Sequence, residues 1–313
     1  MRVATIDIGT NTTLLLVAER DASGAIRAVR EEATITRLGE GVDKTRKLAP
    51  QAIERTAACL ADYAAIVREL GAARVAVVGT SAMRDAGGGE EIRSRVRELF
   101  GVEARTISGG EEARVTFAGA LSGMRHGAGR AVVFDIGGGS TEIVVGTVDE
   151  RGRAQDVVAE HSFDVGSVRL TERHVRADPP SAAERAAVRS AAREAFASRP
   201  GLLAEARTVS TPPVGIAGTV TTLAAVALSL VPYDGARVHG HTMTLEQVEA
   251  VVARLASVPL EERRTIPGLE PKRADVIVAG GLVTLAVLDA LGATAVRVSD
   301  RGVRWGLAEQ LLA

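Results

Sequence analysis

Two copies of one short pattern, set 128 residues apart (135 − 7), govern what this 313-residue chain can fold into. The first runs Val3-Ala4-Thr5-Ile6-Asp7-Ile8-Gly9-Thr10-Asn11-Thr12-Thr13 and continues through Leu14 to Val17. The second runs Val132-Val133-Phe134-Asp135-Ile136-Gly137-Gly138-Gly139-Ser140-Thr141-Glu142 and continues through Ile143 to Val145. Each copy is an apolar, β-rich run ending in Asp, then a turn of Gly and small polar residues, then a second β-rich run. That order predicts a strand, a tight turn and a returning strand. The offset persists beyond the pattern: the turn signal Asp21-Ala22-Ser23-Gly24 matches Asp149-Glu150-Arg151-Gly152, and 149 − 21 is again 128. The two halves read as copies of one hairpin-based unit.

Two such units facing each other would enclose a cleft, with both turns pointing into it. The turn residues suit phosphate. Gly, Ser, Thr and Asn let the backbone come close and turn its N–H groups toward an anion. The Asp at each strand end would repel phosphate unless a cation lay between them. Mg2+ binds carboxylates, water and phosphate oxygens together, which makes it the expected cation.

The length gives room for two domains with their own cores. Hydrophobic residues make up 46% and the net charge is −1, so neither nucleic acid nor a membrane surface is indicated as the main partner. Of 38 basic residues only Lys44, Lys47 and Lys272 are lysines; with abundant Ala, Gly and Val, this Arg richness reflects genome composition rather than binding. Cys59 lies in an Ala/Leu-rich helical stretch and is expected to be buried. No apolar run reaches the length of a membrane span, and the chain opens on a strand rather than a signal-peptide pattern, so a cytoplasmic location is expected.

Along the chain, Ala25 to Ile35 predicts a third strand of the first meander. A polar loop, Thr36 to Val42, follows, with Lys44, Arg46 and Lys47 beyond it. Pro50 starts a helix to about Leu70; Val75 to Gly79 reads as a buried strand, Arg93 to Phe100 as a helix and Val102 to Ile107 as a strand. Ser108-Gly109-Gly110-Glu111-Glu112-Ala113-Arg114 opens a helix through Leu121, with its carboxylates in the first turn, where the helix dipole favours negative charge. Residues 122–130 read as a hinge. The second half predicts a third strand to Val165, a short helix from Gly166, a long polar helix from Pro180 to Ala197 and a strand from Val214 to Thr219. An apolar helix over 220–230 and a capped helix from Thr244 come next. Ala274 to Leu291 reads as a long helix with Gly280 and Gly281 inside it, each costing about 1 kcal/mol relative to Ala. Close approach of backbone or ligand is expected to offset that cost. Val296 to Asp300 reads as an exposed strand end, and Val303 to Leu312 as a helix returning to the first lobe. Alternating strands and helices with short connections define an α/β fold of two lobes. One lobe spans 1–122 together with 301–313, the other 123–300.

There is no Gly-x-x-x-x-Gly-Lys-Ser/Thr, and no Gly-x-Gly-x-x-Gly between a strand and a helix, so neither common nucleotide fingerprint is present. The histidines at 126, 161, 174, 239 and 241 do not sit near a Ser elbow. His239-Gly240-His241 could supply half a metal site but has no acidic or Cys partner close in sequence.

The two hairpins and the Gly215-Ile216-Ala217-Gly218-Thr219 stretch occur in the order and spacing of the actin-like ATPase superfamily, which includes sugar kinases, acetate kinases, DnaK-type chaperones and actin. Within it the chain resembles the exopolyphosphatase/guanosine pentaphosphate phosphohydrolase (Ppx/GppA) family in its short, two-domain form. The resemblance covers the whole chain and rests on Ser108 to Arg114, Asp135 to Glu142, Gly79 to Arg84, Ile266-Pro267-Gly268 and Ser299 to Gly302. It implies two actin-like (ribonuclease H-like) lobes, each a mixed sheet flanked by helices, with the active site between them. It also implies Mg2+, with a monovalent cation such as K+ as a second candidate, and a homodimer.

Carried over residue by residue, the resemblance makes Glu112 the catalytic base that orients water toward the terminal phosphorus. Asp135 and Glu142 join it as catalytic residues and, with Asp7, as ligands of the metal or its waters. Phosphate contacts fall to Gly9, Thr10, Asn11 and Thr12 of the first loop and to Gly137, Gly138, Gly139, Ser140 and Thr141 of the second. Arg84, Gly218 and Thr219 complete that set. The chain departs from the superfamily's kinases at Ile216-Ala217, where they prefer paired glycines against adenosine. The expected reaction is therefore hydrolysis of the terminal phosphoanhydride of inorganic polyphosphate. Three alternatives stand beside it: guanosine pentaphosphate hydrolysis at the same site, an ATP-dependent small-molecule kinase, and a non-catalytic actin-like assembling protein. Glu111-Glu112-Ala113-Arg114 favours hydrolysis, because a kinase needs an acceptor pocket and excludes water. Arg37, Lys44, Arg46 and Lys47 could guide a long anionic chain, or simply form a solvated basic loop.

Overall fold

The computed structural model describes residues 1–22, 24–124, 126–150 and 152–313, and Asp85 by its backbone alone. Ser23 and Arg151, of the two matching turns, and Arg125, of the expected hinge, lie outside the described residues. The chain forms two compact units, Met1–Gly119 with Val303–Ala313, and Ala120–Gly302.

The first unit opens on three strands, β1 Arg2–Ile8, β2 Thr12–Arg20 and β3 Ile26–Ile35. There follow α1 Val42–Thr45, α2 Pro50–Glu69, β4 Arg74–Gly79, α3 Ser81–Asp85, α4 Gly89–Phe100, β5 Ala104–Thr106 and α5 Gly109–Leu121. The second unit carries β6 Gly129–Ile136, β7 Thr141–Val148, β8 Ala154–Phe163, α6 Ser167–His174, α7 Ala182–Ala197, α8 Pro200–Arg207 and β9 Val214–Ile216. It continues with α9 Ala217–Ala227, α10 Gly235–Val238, β10 Thr242–Thr244, α11 Leu245–Ser257 and α12 Leu260–Arg263. A 3-10 turn at Pro271–Arg273 leads to α13 Ile277–Leu291 and β11 Ala295–Val298; α14 Val303–Leu312 belongs to the first unit.

In the first unit the strand order is β3-β2-β1-β4-β5, with β1 antiparallel to β2 and parallel to β4. Successive side chains of a strand point to opposite faces. β1 uses both: Ala4, Ile6 and Ile8 pack with Leu15, Val17, Leu60 and Tyr63 on the α2 side. Val3 packs with Leu16, Ala18, Trp305 and Ala308 of α14 on the other. This two-sided cover explains why β1 carries apolar residues on both faces. Cys59 is buried in the α2-side core, as expected.

The second unit's sheet runs β10-β11-β9-β6-β7-β8 around a core of Phe134, Ile136, Phe163, Phe196 and the apolar faces of α7, α9, α11 and α13. The internal repeat extends well past the motif. β3 and β8 correspond residue for residue, since 154 − 26 and 163 − 35 are both 128. The ladder irregularity between Val17 and Ala18 returns between Val145 and Gly146. The second turns repeat as well. Asp21 Oδ1 accepts the Ala25 N–H at 3.0 Å, and Asp149 Oδ1 accepts the Arg153 N–H at 2.9 Å. Beyond β3 and β8 the common offset is lost, although β4 lies parallel to β1 as β9 does to β6.

Several elements differ from the sequence reading. The strand expected over 214–219 ends at Ile216, and Ala217, with φ of 63°, turns the chain directly into α9. Gly218 and Thr219 therefore sit in the first turn of a helix. Val296 to Asp300 is no exposed end: β11 lies between β10 and β9, with Val296, Val298 and Ser299 fully buried. α4 begins at Gly89 rather than Arg93, and α8 is additional. Gly280 and Gly281 face close side chains, Thr219 and Val252, rather than backbone.

Candidate active site

In the first unit the β1–β2 turn is closed by the Gly9 N–H donating to the Thr12 carbonyl at 3.1 Å. A Cβ on Gly9 would lie 2.8 Å from that carbonyl, which restricts the position to glycine. The polar loop after β3 packs onto this turn. The Arg37 N–H donates to the Asn11 carbonyl at 3.0 Å, and the Gly39 N–H to the Thr10 carbonyl at 2.8 Å. Arg37 takes a left-handed conformation, φ 51°, to do so. The loop's carbonyls are thus occupied from behind, while the N–H groups of Thr10 and Asn11 donate to no described residue. Asn11 Nδ2, on a residue 7% exposed, also lacks a partner among the described residues. A buried donor left without an acceptor carries a desolvation cost, which a bound anion would remove.

The other first-unit candidates connect to this turn. β1 and β4 are parallel with Ile8 opposite Gly79, so α3 begins beside the turn, and Thr10 Oγ1 lies 2.9 Å from Ser81 Oγ. α3 carries Arg84, whose guanidinium donates to the Glu112 carboxylate at 3.1 Å and to the Ile107 carbonyl at 3.3 Å. Glu112 is 6% exposed. Ser108 caps its helix by accepting the Glu111 N–H at 3.1 Å, while the Glu111 side chain turns outward to Arg105. The two adjacent glutamates are thereby separated, one buried against Arg84 and the other at the surface. Asp7, at the end of β1, is buried. Lys44, Arg46 and Lys47 are exposed.

In the second unit the equivalent turn is closed by the Gly137 N–H and the Ser140 carbonyl at 3.0 Å. Asp135 and Glu142 are directly opposed across β6 and β7, so the two carboxylates share one face of the sheet. Like charges in that relation repel. Glu142 is 2% exposed, and its Oε1 accepts from Ser162 Oγ at 2.6 Å. Two hard carboxylates held on rigid strands fit Mg2+, which takes one or two carboxylates and fills its remaining positions with water and phosphate oxygens. Among the described residues no group of three or more His, Cys, Asp and Glu is placed to hold a metal ion. Thr141 and Thr219 point their hydroxyls at the carbonyls of Val165, at 2.6 Å, and Ile136, at 3.1 Å, so both brace the hairpin. Gly218 lies under the guanidinium of Arg273, where a Cβ would collide.

His239, singled out with His241, finds the acidic partner its sequence neighbourhood lacks: Nδ1 lies 3.1 Å from Asp300. Three side chains that serve the site were missed at the sequence level, namely Ser162, Arg169 and Arg273. None lies in a motif that marks it, and an Arg in an Arg-rich chain carries little signal.

The sequence model of the Ppx/GppA phosphatase family matches residues 16–313. The chain belongs to the Ppx/GppA phosphatase family. It is 39% identical to exopolyphosphatase 2 of Mycobacterium tuberculosis over 90% of this chain and 88% of that protein. Among solved structures, an exopolyphosphatase-like protein superposes with a TM-score of 0.90 at 30% identity, covering 100% of this chain and 99% of the other. The Aquifex aeolicus Ppx/GppA family member gives 0.77 at 32% identity, with 100% and 98% covered. The two-sheet architecture is that of Ppx/GppA structures.

Proposed function

We propose that this protein is an exopolyphosphatase, hydrolysing the terminal phosphoanhydride of inorganic polyphosphate to release orthophosphate. The observation that carries the reading is the buried Glu112 paired with the half-buried Arg84, joined through α3 to the first anion-binding turn. The likeness to exopolyphosphatase 2 of M. tuberculosis supports the same reaction. Glu112 holds the attacking water and takes its proton, and a general base of this kind contributes about 10²–10⁴-fold. The new bond forms between water oxygen and terminal phosphorus as the bridging P–O bond breaks. The electron pair leaves with the shortened chain. Loop N–H groups, of Thr10–Asn11 in the first unit and of Gly138–Ser140 in the second, are the donors each hairpin offers to phosphoryl oxygens. Asp135 and Glu142 of the second unit, and Asp7 of the first, are the carboxylates that would hold Mg2+ or its waters, and the ion would supply neutralisation of phosphate charge.

The test is phosphate release from polyphosphate, guanosine pentaphosphate and ATP side by side with Mg2+. Release from polyphosphate should dominate and stop in excess EDTA. Asp135→Asn should lose most activity while keeping the fold. Preference for guanosine pentaphosphate would move the substrate assignment to that nucleotide, and turnover undiminished by EDTA would remove the metal.

A further inference from the structure

The second phosphate loop is held by a device the first one lacks. In the second unit α6 takes up the loop's carbonyls: the Ser167 N–H donates to Gly137, and the Val168 and Arg169 N–H groups donate to Gly138, at 2.9 to 3.0 Å. Gly166 permits this contact, since a Cβ there would stand 2.5 Å from the Gly138 carbonyl oxygen. The third carbonyl, of Gly139, receives no main-chain N–H among the described residues and is held by Arg169 Nε at 2.6 Å. Arg169 is 6% exposed, a buried guanidinium behind the loop.

The internal repeat shows what that side chain replaces. Asn11 is the counterpart of Gly139, at the common offset of 128 (139 − 11). Its carbonyl is held by a main-chain donor, the N–H of Arg37. The second copy has lost that donor and uses a side chain.

The C=O and N–H of a trans peptide point in opposite directions. Clamping the carbonyls of Gly137, Gly138 and Gly139 on the α6 side therefore turns the N–H groups of Gly138, Gly139 and Ser140 to the other side. None of the three donates to a described residue. Two of these peptides are fixed by helix N–H groups, and the Gly139–Ser140 peptide is fixed by Arg169. A charged donor on the carbonyl also polarises the peptide, which strengthens the N–H at its far end.

We propose that Arg169 is a positioning residue of the phosphohydrolase site: it sets the Gly139–Ser140 peptide so that the Ser140 N–H faces the phosphoryl group. The proposal rests on the function argued above, and its test separates the two. Full-length Arg169→Met and Arg169→Lys are compared with the unchanged protein. Deleting one preorganised donor costs about 10²–10³ in kcat, so Met, which leaves the N–H present but unaimed, should cost about 10- to 100-fold. KM should move much less, and Lys should restore part of kcat. In parallel, inorganic phosphate is titrated against protein labelled at Gly and Ser amides. The Ser140 resonance should shift with phosphate in the unchanged protein and lose that response in Arg169→Met, while Gly138 and Gly139 keep theirs. A Met variant with near-normal kcat, or with an undiminished Ser140 response, overturns the proposal. Should Met fail to fold, Lys decides alone: its single, differently placed donor must lower kcat and weaken the Ser140 response. Should the unchanged protein release no phosphate from polyphosphate, the functional reading falls and the amide titration still judges Arg169.

Discussion

Replacing Glu112 by Gln keeps side-chain size and the helix start but removes the base. Its effect on the Arg84 contact can be worked out. The Glu112 carboxylate accepts a hydrogen bond from Arg84 at 3.1 Å, and the Gln carbonyl oxygen can still accept it. A bond to a charged group contributes about 1.5–3 kcal/mol, and keeping it in neutral form retains roughly half. The weakening of this bond is therefore expected to cost about 1 kcal/mol, with Arg84 still anchored on the Ile107 carbonyl. The catalytic effect should be far larger. A general base contributes about 10²–10⁴-fold, equivalent to about 2.7–5.4 kcal/mol of barrier. Glu111→Gln is the control, since it shares the helix-dipole position but pairs at the surface with Arg105. Surface pairs contribute about 0–1 kcal/mol, so turnover should hardly change. The assay is kcat for phosphate release from polyphosphate, measured well below the melting midpoint of each variant. Near-normal turnover in Glu112→Gln, or equal losses in both variants, would refute the assignment of Glu112 as the base.

Other perturbations follow from the same contacts. Gly306→Ala should destabilise the first unit by about 3 kcal/mol or more, because its Cβ would run into the Val115 carbonyl of α5. Glu112 lies on that helix, so kcat should fall too; unchanged melting and turnover would contradict the close approach. Ala217→Gly should raise stability by about 0.5–1 kcal/mol, the relief of a left-handed alanine less the entropy of glycine; chemical denaturation reads it. Glu184, held by the N–H groups of Ala177, Ser181 and Arg176, has its carboxyl lowered from 4.5 to about 2. Its folded-state value lies below the unfolded one, so its contribution is complete above pH 4.5 and fades as pH falls toward 2. The melting difference between the unchanged protein and Glu184→Gln should shrink across that window; a gap independent of pH would exclude this linkage.

The duplicated hairpin was legible because its signal is local: turn chemistry and strand period lie within fifteen residues, and the 128-residue offset aligned both copies before any contact was known. The helix carrying Glu112 was legible for a similar reason, since Ser108 caps it and its glycines stop the strand. What the sequence hid depends on distant partners. Ala217 begins a helix where an alanine looks like a continuing strand, because nothing nearby announces a left-handed residue. Val296 to Ser299 alternates like an edge strand, yet the sheet buries it between β9 and β10. Arg169 resembles the solvated arginines around it until α6 folds against the loop and puts its guanidinium behind Gly139. The separation of Glu111 from Glu112 likewise required Arg84 and Arg105, which lie on other elements.

The return of α14 to the first unit sets an order of events during synthesis. The face of β1 and β2 formed by Val3, Leu16 and Ala18 is closed by Trp305 and Ala308. Those residues emerge from the ribosome only after the roughly 180 residues of Ala120–Gly302 have been made. At about 5–20 residues per second that interval lasts roughly 10–40 s. The second unit, continuous in the chain, can be completed while the first still shows an open apolar sheet face. The nascent chain is most exposed to chaperones and to aggregation through the segment it made first.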